Sequence, residues 1–128
     1  MHREERGLAT LETTLMITVL VPLLFAVIEF GDVFQRWLAQ ESATVQVARY
    51  AAEVGGDTPA VRALLNDSLR LSGIDPSRSA LEISPASVGW RQPLIVTVRT
   101  DATLAIPFLF AATIPLRTTA VVRGELNR

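Results

Sequence analysis

The sequence contains no cysteine and no lysine, and its one histidine is His2. Without cysteine there is no disulfide framework and no thiolate metal site. A histidine base is excluded from any chain that begins after His2. All twelve basic side chains are arginines, spread along the chain, and the net charge is −1. Nucleic-acid binding needs a basic patch or stripe, and none is present. There is no glycine-rich phosphate loop, no metal-ligand cluster and no Ser/His/Asp set, so the sequence predicts neither an enzyme nor a cofactor.

What the chain has in excess is apolar residues, 49% with a mean hydropathy of +0.33. Much of the excess lies in the N-terminal third. Leu15 to Ile28 is interrupted by one polar group, Thr18, and a helical threonine can bond back to its own backbone. From Leu8 to Phe30 the segment spans 23 residues. As a helix it is roughly 35 Å long, enough to cross a hydrocarbon core of about 30 Å. A cleaved secretory signal would have a basic n-region and a small-x-small site after the apolar core. Here Glu4 and Glu5 offset Arg3 and Arg6, and the run ends in Glu29-Phe30-Gly31-Asp32. The segment is therefore expected to stay as a single-pass anchor, with the N-terminus cytoplasmic on the positive-inside rule. Glu29 marks its outer boundary. Pro22, inside the span, is either a tolerated membrane-helix proline or a kink.

Beyond the span, Asp32, Gln35, Ser42, Gln46, Arg49 and Glu53 recur at steps of three and four, with Ala39 filling one step. Opposite them lie Val33, Phe34, Trp37, Leu38, Val45, Val47, Ala48, Ala51 and Ala52. This is an amphipathic continuation of the same helix, ended by Gly55-Gly56. Trp37 serves either as an interface anchor or as packing for the head. Asp57-Thr58-Pro59 restarts a helix with the stripe Val61, Leu64, Leu65 and Leu69, closed by Ser72-Gly73. The period then changes to two. Leu81 and Ile83, then Leu94, Val96 and Val98, then Leu116, Thr118, Ala120 and Val122 predict three short strands of one antiparallel sheet. The Glu82/Arg99 and Asp101/Arg117 pairs are candidate cross-strand partners. Between the last two strands, Ile106 to Ile114 is expected either to fold back and close the core or to form an exposed patch for subunit or membrane contact, with Phe108, Leu109 and Phe110 as contact residues. The fold class is α+β: residues 1–7 a leader, 8–30 a membrane helix, 31–56 a stem helix and 57–128 a small head.

Glu12 needs a partner, because a carboxylate near the middle of a bilayer costs roughly 2.5–3.5 kcal/mol. It stands five positions after Gly7, at the head of the apolar run. Arg6-Gly7, Glu12, Pro22, Ile28-Glu29-Phe30-Gly31, Val47-Ala48-Arg49-Tyr50-Ala51-Ala52 and Ile114-Pro115-Leu116-Arg117-Thr118-Thr119-Ala120 together resemble the TadE-like pilins and pseudopilins of tight-adherence, Flp-type pilus systems. Members often carry an aromatic residue after the glutamate, where this chain has Thr13. The resemblance implies a pilin-like fold and a cut by a prepilin peptidase between Gly7 and Leu8. It implies that Glu12 meets the new Leu8 amine of a neighbouring subunit. It also implies other pilins and pseudopilins as partners, with the inner-membrane assembly platform and its ATPase acting indirectly. Glu29 and Phe30 are further candidate subunit contacts. The rival expectation is a static anchored protein, uncut at Gly7, whose head binds a partner in an envelope complex.

Overall fold

The computed structural model describes residues 2–126, with side chains from Gly7 onward. The side chains of residues 1–6, Arg3 and Arg6 among them, which fall in the expected leader, lie outside the described residues. One helix, α1, runs from His2 to Val54 without interruption at Pro22. Its last carbonyls are closed by Gly55 and Gly56, whose N–H groups both donate to the Ala51 oxygen at 3.0 and 2.7 Å. Gly56 has φ +130, and a Cβ there would sit 2.2 Å from the Ala86 oxygen. Only glycine fits that approach between the helix end and the 86–88 segment.

Helix α2, Pro59–Leu71, starts on Thr58, whose hydroxyl accepts from the Val61 N–H at 3.3 Å. It stops in a Schellman closure. Gly73 N–H donates to the Arg70 oxygen at 3.0 Å and Ile74 N–H to the Leu69 oxygen at 2.9 Å. Gly73 supplies the positive φ, and Ile74 is buried in the same cluster as Leu69. After a short 3-10 turn at Pro76–Arg78 come β1 (Ala80–Ser84), β2 (Pro93–Ile106) and β3 (Phe110–Arg123). They form one antiparallel sheet in the order β1-β2-β3. The fold is α+β and pilin-like, as the sequence predicts.

One face of the sheet is covered by α1 and α2. Ala43, Val47, Ala48 and Ala51 of α1, Val61, Leu65 and Leu69 of α2, and Ile83, Leu94, Val96 and Val98 of the sheet make the main core. The alanines let the α1 backbone lie close to the strands. A second cluster sits nearer the anchor, where Val33 packs with Ala102, Leu104 and Leu116, flanked by Trp37 and Ile114. Trp37 thus packs against the head, and its ring stacks on Phe34 at a centroid distance of 5.9 Å.

Three expectations need correction. Phe34, Leu38 and Val45, read from the sequence as part of the apolar side, are 54%, 45% and 39% exposed. The covered face is narrower, because the sheet meets α1 along one ridge through Val33, Gln40, Ala43, Thr44, Val47, Ala48 and Ala51. The last two strands are not short. They pair from Pro93↔Arg123 to Ile106↔Phe110, so Ile106 to Ile114 is the end of a hairpin and does not fold back over the core. Finally, Arg117 stands opposite Arg99 and Asp101 opposite Pro115. Glu82 does reach Arg99, diagonally, at 3.6 Å.

Candidate functional site

From Leu8 to Val21 every side chain of α1 is exposed, and most of those from Leu23 to Phe30 are too. Leu8 is 67% exposed and Phe30 65%. Among the described residues this apolar column is left largely uncovered, with Pro22, Ala26 and Glu29 half-buried on one side. Its hydroxyl groups are satisfied within the helix. Thr13, Thr14 and Thr18 donate to the oxygens of Ala9, Thr10 and Thr14 at 2.8, 2.9 and 2.7 Å. That back-bonding is what lets hydroxyls enter an apolar phase, since an unpaired hydroxyl there costs several kcal/mol. By length and composition this part of α1 is apolar and long enough to cross a membrane.

Gly7 and Leu8 lie in the exposed first turns of α1, and Glu12 is exposed one turn above Leu8. Glu29 and Phe30 lie at the far end of the column, about 26 Å from Glu12 at the helical rise. Glu29 is half-buried and Phe30 exposed. Phe30, Ala26, Val27, Gly31 and Phe34 line a shallow apolar groove on the surface of α1. Just above it, Asp32 and Arg36 form an i,i+4 ion pair at 2.9 Å. Pro22 is half-buried within an unbroken helix. Phe108, Leu109 and Phe110 come together at the hairpin tip, 96%, 62% and 53% exposed. Gly7, Leu8 and Glu12 thus lie at the start of α1, Pro22 within it, Glu29 and Phe30 at the far end of the column, and Phe108, Leu109 and Phe110 at the hairpin tip.

A polar cluster that the sequence reading did not single out joins stem to sheet. Gln40 is fully buried. Its Nε2 donates to the oxygens of Val98 and Leu116 at 2.9 and 3.3 Å and to Thr118 Oγ1 at 3.2 Å. Its Oε1 accepts from the Thr100 hydroxyl. The Thr44 hydroxyl lies 2.6 Å from that of Thr118 and donates to the Gln40 oxygen at 2.7 Å. The signal was present as spacing: Val33, Trp37, Gln40, Thr44, Val47 and Ala51 recur at steps of four and three, so Gln40 and Thr44 lie on the packed ridge.

The family model described as TadE-like protein matches residues 7–49. Over those residues of α1 the chain is similar to that family. The matched segment begins at Gly7 and covers the apolar column, the Asp32–Arg36 pair and the stem through Arg49. It bears out the resemblance carried by the same residues. No curated protein and no solved structure matches the chain. Among the described residues one helix, at the N-terminus, is long and apolar enough for single-pass membrane anchoring, and the likeness of residues 7–49 to the TadE-like family points to a Tad-pilus-associated membrane protein.

Proposed function

We propose that this TadE-like protein is a minor pilin, or pseudopilin, of a Tad/Flp-type pilus or a related type II or type IV secretion apparatus. A prepilin peptidase cuts between Gly7 and Leu8. The processed subunit waits in the cytoplasmic membrane with its head outside, then passes into an assembly through its N-terminal helix and reaches the pilus or cell surface. The observation that carries this reading is the bare column from Leu8 to Phe30. The head has a buried core shared with the stem, whereas most side chains of the column are exposed, so its natural environment is first lipid and then neighbouring helices.

Glu12 gives the assembly its register. After cleavage the Leu8 amine and the Glu12 carboxylate lie one turn apart on one helix face. In a dry bundle an amine and a carboxylate attract far more strongly than in water. An unpaired one is penalised, which favours a stacking that brings amine and carboxylate of adjacent subunits together. Phe30, exposed at the far end of the column, is the further residue we expect to meet neighbours, with Pro22 and Glu29 half-buried along the same helix.

The test is the N-terminal residue of the protein purified from membranes of its own host. A start at Leu8 supports the pilin reading. An intact start at Met1 in a host with active prepilin peptidase overturns it in favour of a static anchor whose head binds an envelope partner.

A further inference from the structure

The β2–β3 hairpin is far longer than the core requires. Gln40 meets it at Val98, Leu116 and Thr118, and Val33 meets it at Ala102, Leu104 and Leu116. Descending α1 toward its N-terminus is therefore descending the hairpin toward its tip. A strand advances about 3.3 Å per residue and a helix about 1.5 Å. From Leu104 to Phe108 the hairpin descends at most about 13 Å, the length of about nine helical residues below Val33. That puts the tip beside the outer end of the Leu15–Ile28 run. The face of α1 that continues Val33 downward is Glu29, Ala26 and Pro22, and these are half-buried where residues around them are exposed.

Charge gives out toward the same end on both elements. On α1 the last ion pair is Asp32–Arg36 and the last charge before the apolar run is Glu29. On the hairpin the last charges are Asp101 and Arg117, and all fifteen residues between them are uncharged. The tip itself is built against local preference. Pro107 and Phe108 occupy the centre of a turn closed by the Leu109 N–H on the Ile106 oxygen at 3.2 Å. Phe108 has φ 66, a conformation that favours glycine, yet the position holds a bulky aromatic that is 96% exposed. A side chain kept there at a backbone cost and left without contacts in the monomer has its contacts elsewhere.

We infer that the hairpin tip is a second membrane contact, in which Phe108, Leu109 and Phe110 enter the outer interfacial layer of the bilayer beside α1. This rests on the membrane-anchor reading of α1. The depth follows from the backbone. β1 pairs with β2 only up to Arg99, so below Leu116, whose oxygen accepts from Gln40, the N–H and C=O groups of both outer hairpin edges have no strand beside them among the described residues. Hydrocarbon cannot satisfy such groups, whereas the headgroup region can. The tip is therefore interfacial, as aromatic side chains at a membrane boundary are.

The absence of cysteine gives the test a clean label site. Single variants Phe108→Cys, Leu20→Cys and Leu71→Cys of the full chain, each carrying one environment-sensitive fluorophore, are reconstituted in phosphatidylethanolamine/phosphatidylglycerol vesicles. Nitroxide lipids labelled near the glycerol backbone or near the acyl terminus serve as quenchers. The inference expects the Leu20 label to lose fluorescence to the deep nitroxide, Leu71 to neither, and Phe108 to the shallow one above all. Leu109→Cys repeats the measurement where the turn residue itself is untouched. A tip label quenched by aqueous iodide but by neither lipid, with Leu20 still quenched, overturns the inference and leaves the anchor standing. A tip shielded from both iodide and lipid is a protein contact and overturns it too. An unquenched Leu20 label overturns the anchor reading and the inference with it.

Discussion

The side-chain amide of Gln40 donates to the backbone oxygen of Val98 at 2.9 Å, inside the contact between stem and sheet. That bond, with those to Leu116 and Thr118, fixes where along α1 the sheet is clamped. Ala43, Val47, Ala48 and Ala51 supply apolar area, but small residues at regular spacing would tolerate a slide of one turn. A buried amide with its partners in place would not, because a slide leaves each of them unpaired. Gln40→Ala is expected to destabilise the head by roughly 1–3 kcal/mol for the groups left unsatisfied, with a further loss from the cavity. Chemical denaturation in detergent checks this. Wild-type stability in the variant would show that the clamp contributes nothing.

Gly56 allows the chain to leave α1 against the 86–88 segment. Gly56→Ala places a methyl group where the Ala86 oxygen already is and forces an L-residue to φ +130. The expected cost is roughly 1–3 kcal/mol from the backbone conformation alone. A thermal melt of the variant beside Gly73→Ala separates the two effects, since nothing crowds a Cβ at Gly73.

Phe108→Gly is expected to act in opposite senses on folding and on lipid contact. The turn becomes easier to form, with a gain of about 0.4–1 kcal/mol if strain relief exceeds the added freedom of the unfolded chain. Vesicle contact at the tip weakens. Stability in detergent and quenching of a Leu109 label read the two sides separately, and a variant unchanged in both would remove Phe108 from the account.

Asp75 caps the 3-10 turn. Its carboxylate accepts from the Ser77 hydroxyl at 2.8 Å and from the Ser77 N–H at 3.0 Å. Those bonds favour the charged form and hold its pKa below the ordinary carboxylate value. A depressed folded-state pKa contributes stability that is present above the unfolded value and lost as pH falls through the folded one. The effect is confined to acid conditions and is small, because the group is exposed. Ser77→Ala should raise the Asp75 pKa in a carbonyl-detected NMR titration. An unmoved titration curve would assign the shift elsewhere.

Glu12→Ala should leave membrane insertion intact and abolish incorporation into the pilus. Glu12→Gln keeps shape and removes charge, so it isolates the ion pair from packing. Carbonate extraction of membranes and immunoblotting of sheared pili measure the two steps, and normal piliation in both variants would sink the role proposed for the carboxylate.

The order of elements was legible because each has a local cause. A long apolar run, the Gly55-Gly56 stop, the Thr58-Pro59 start and the period-two alternation all act through neighbours in sequence. The TadE-like match lies in that legible part. The length of the hairpin was hidden by its own composition. Alternation runs through Ala102, Leu104 and Ile106, but around the turn Ala105, Phe108, Leu109, Phe110, Ala111 and Ala112 are all apolar and exposed, so there it vanishes. Phe34, Leu38 and Val45 misled for a related reason. Apolarity reports a preference for leaving water, and these side chains flank the ridge without being covered in the single chain.

The sequence by itself determined that one helix carries a bare apolar column with Glu12 at its start, since length, hydropathy and local capping are properties of adjacent residues. Only the tertiary structure decided that Gln40 and Thr44 are buried partners of the sheet, and that Ala102, Leu104 and Leu116 of the hairpin pack on Val33. Both depend on how α1 and the hairpin are placed side by side, and that placement is set by contacts between residues some sixty to eighty positions apart.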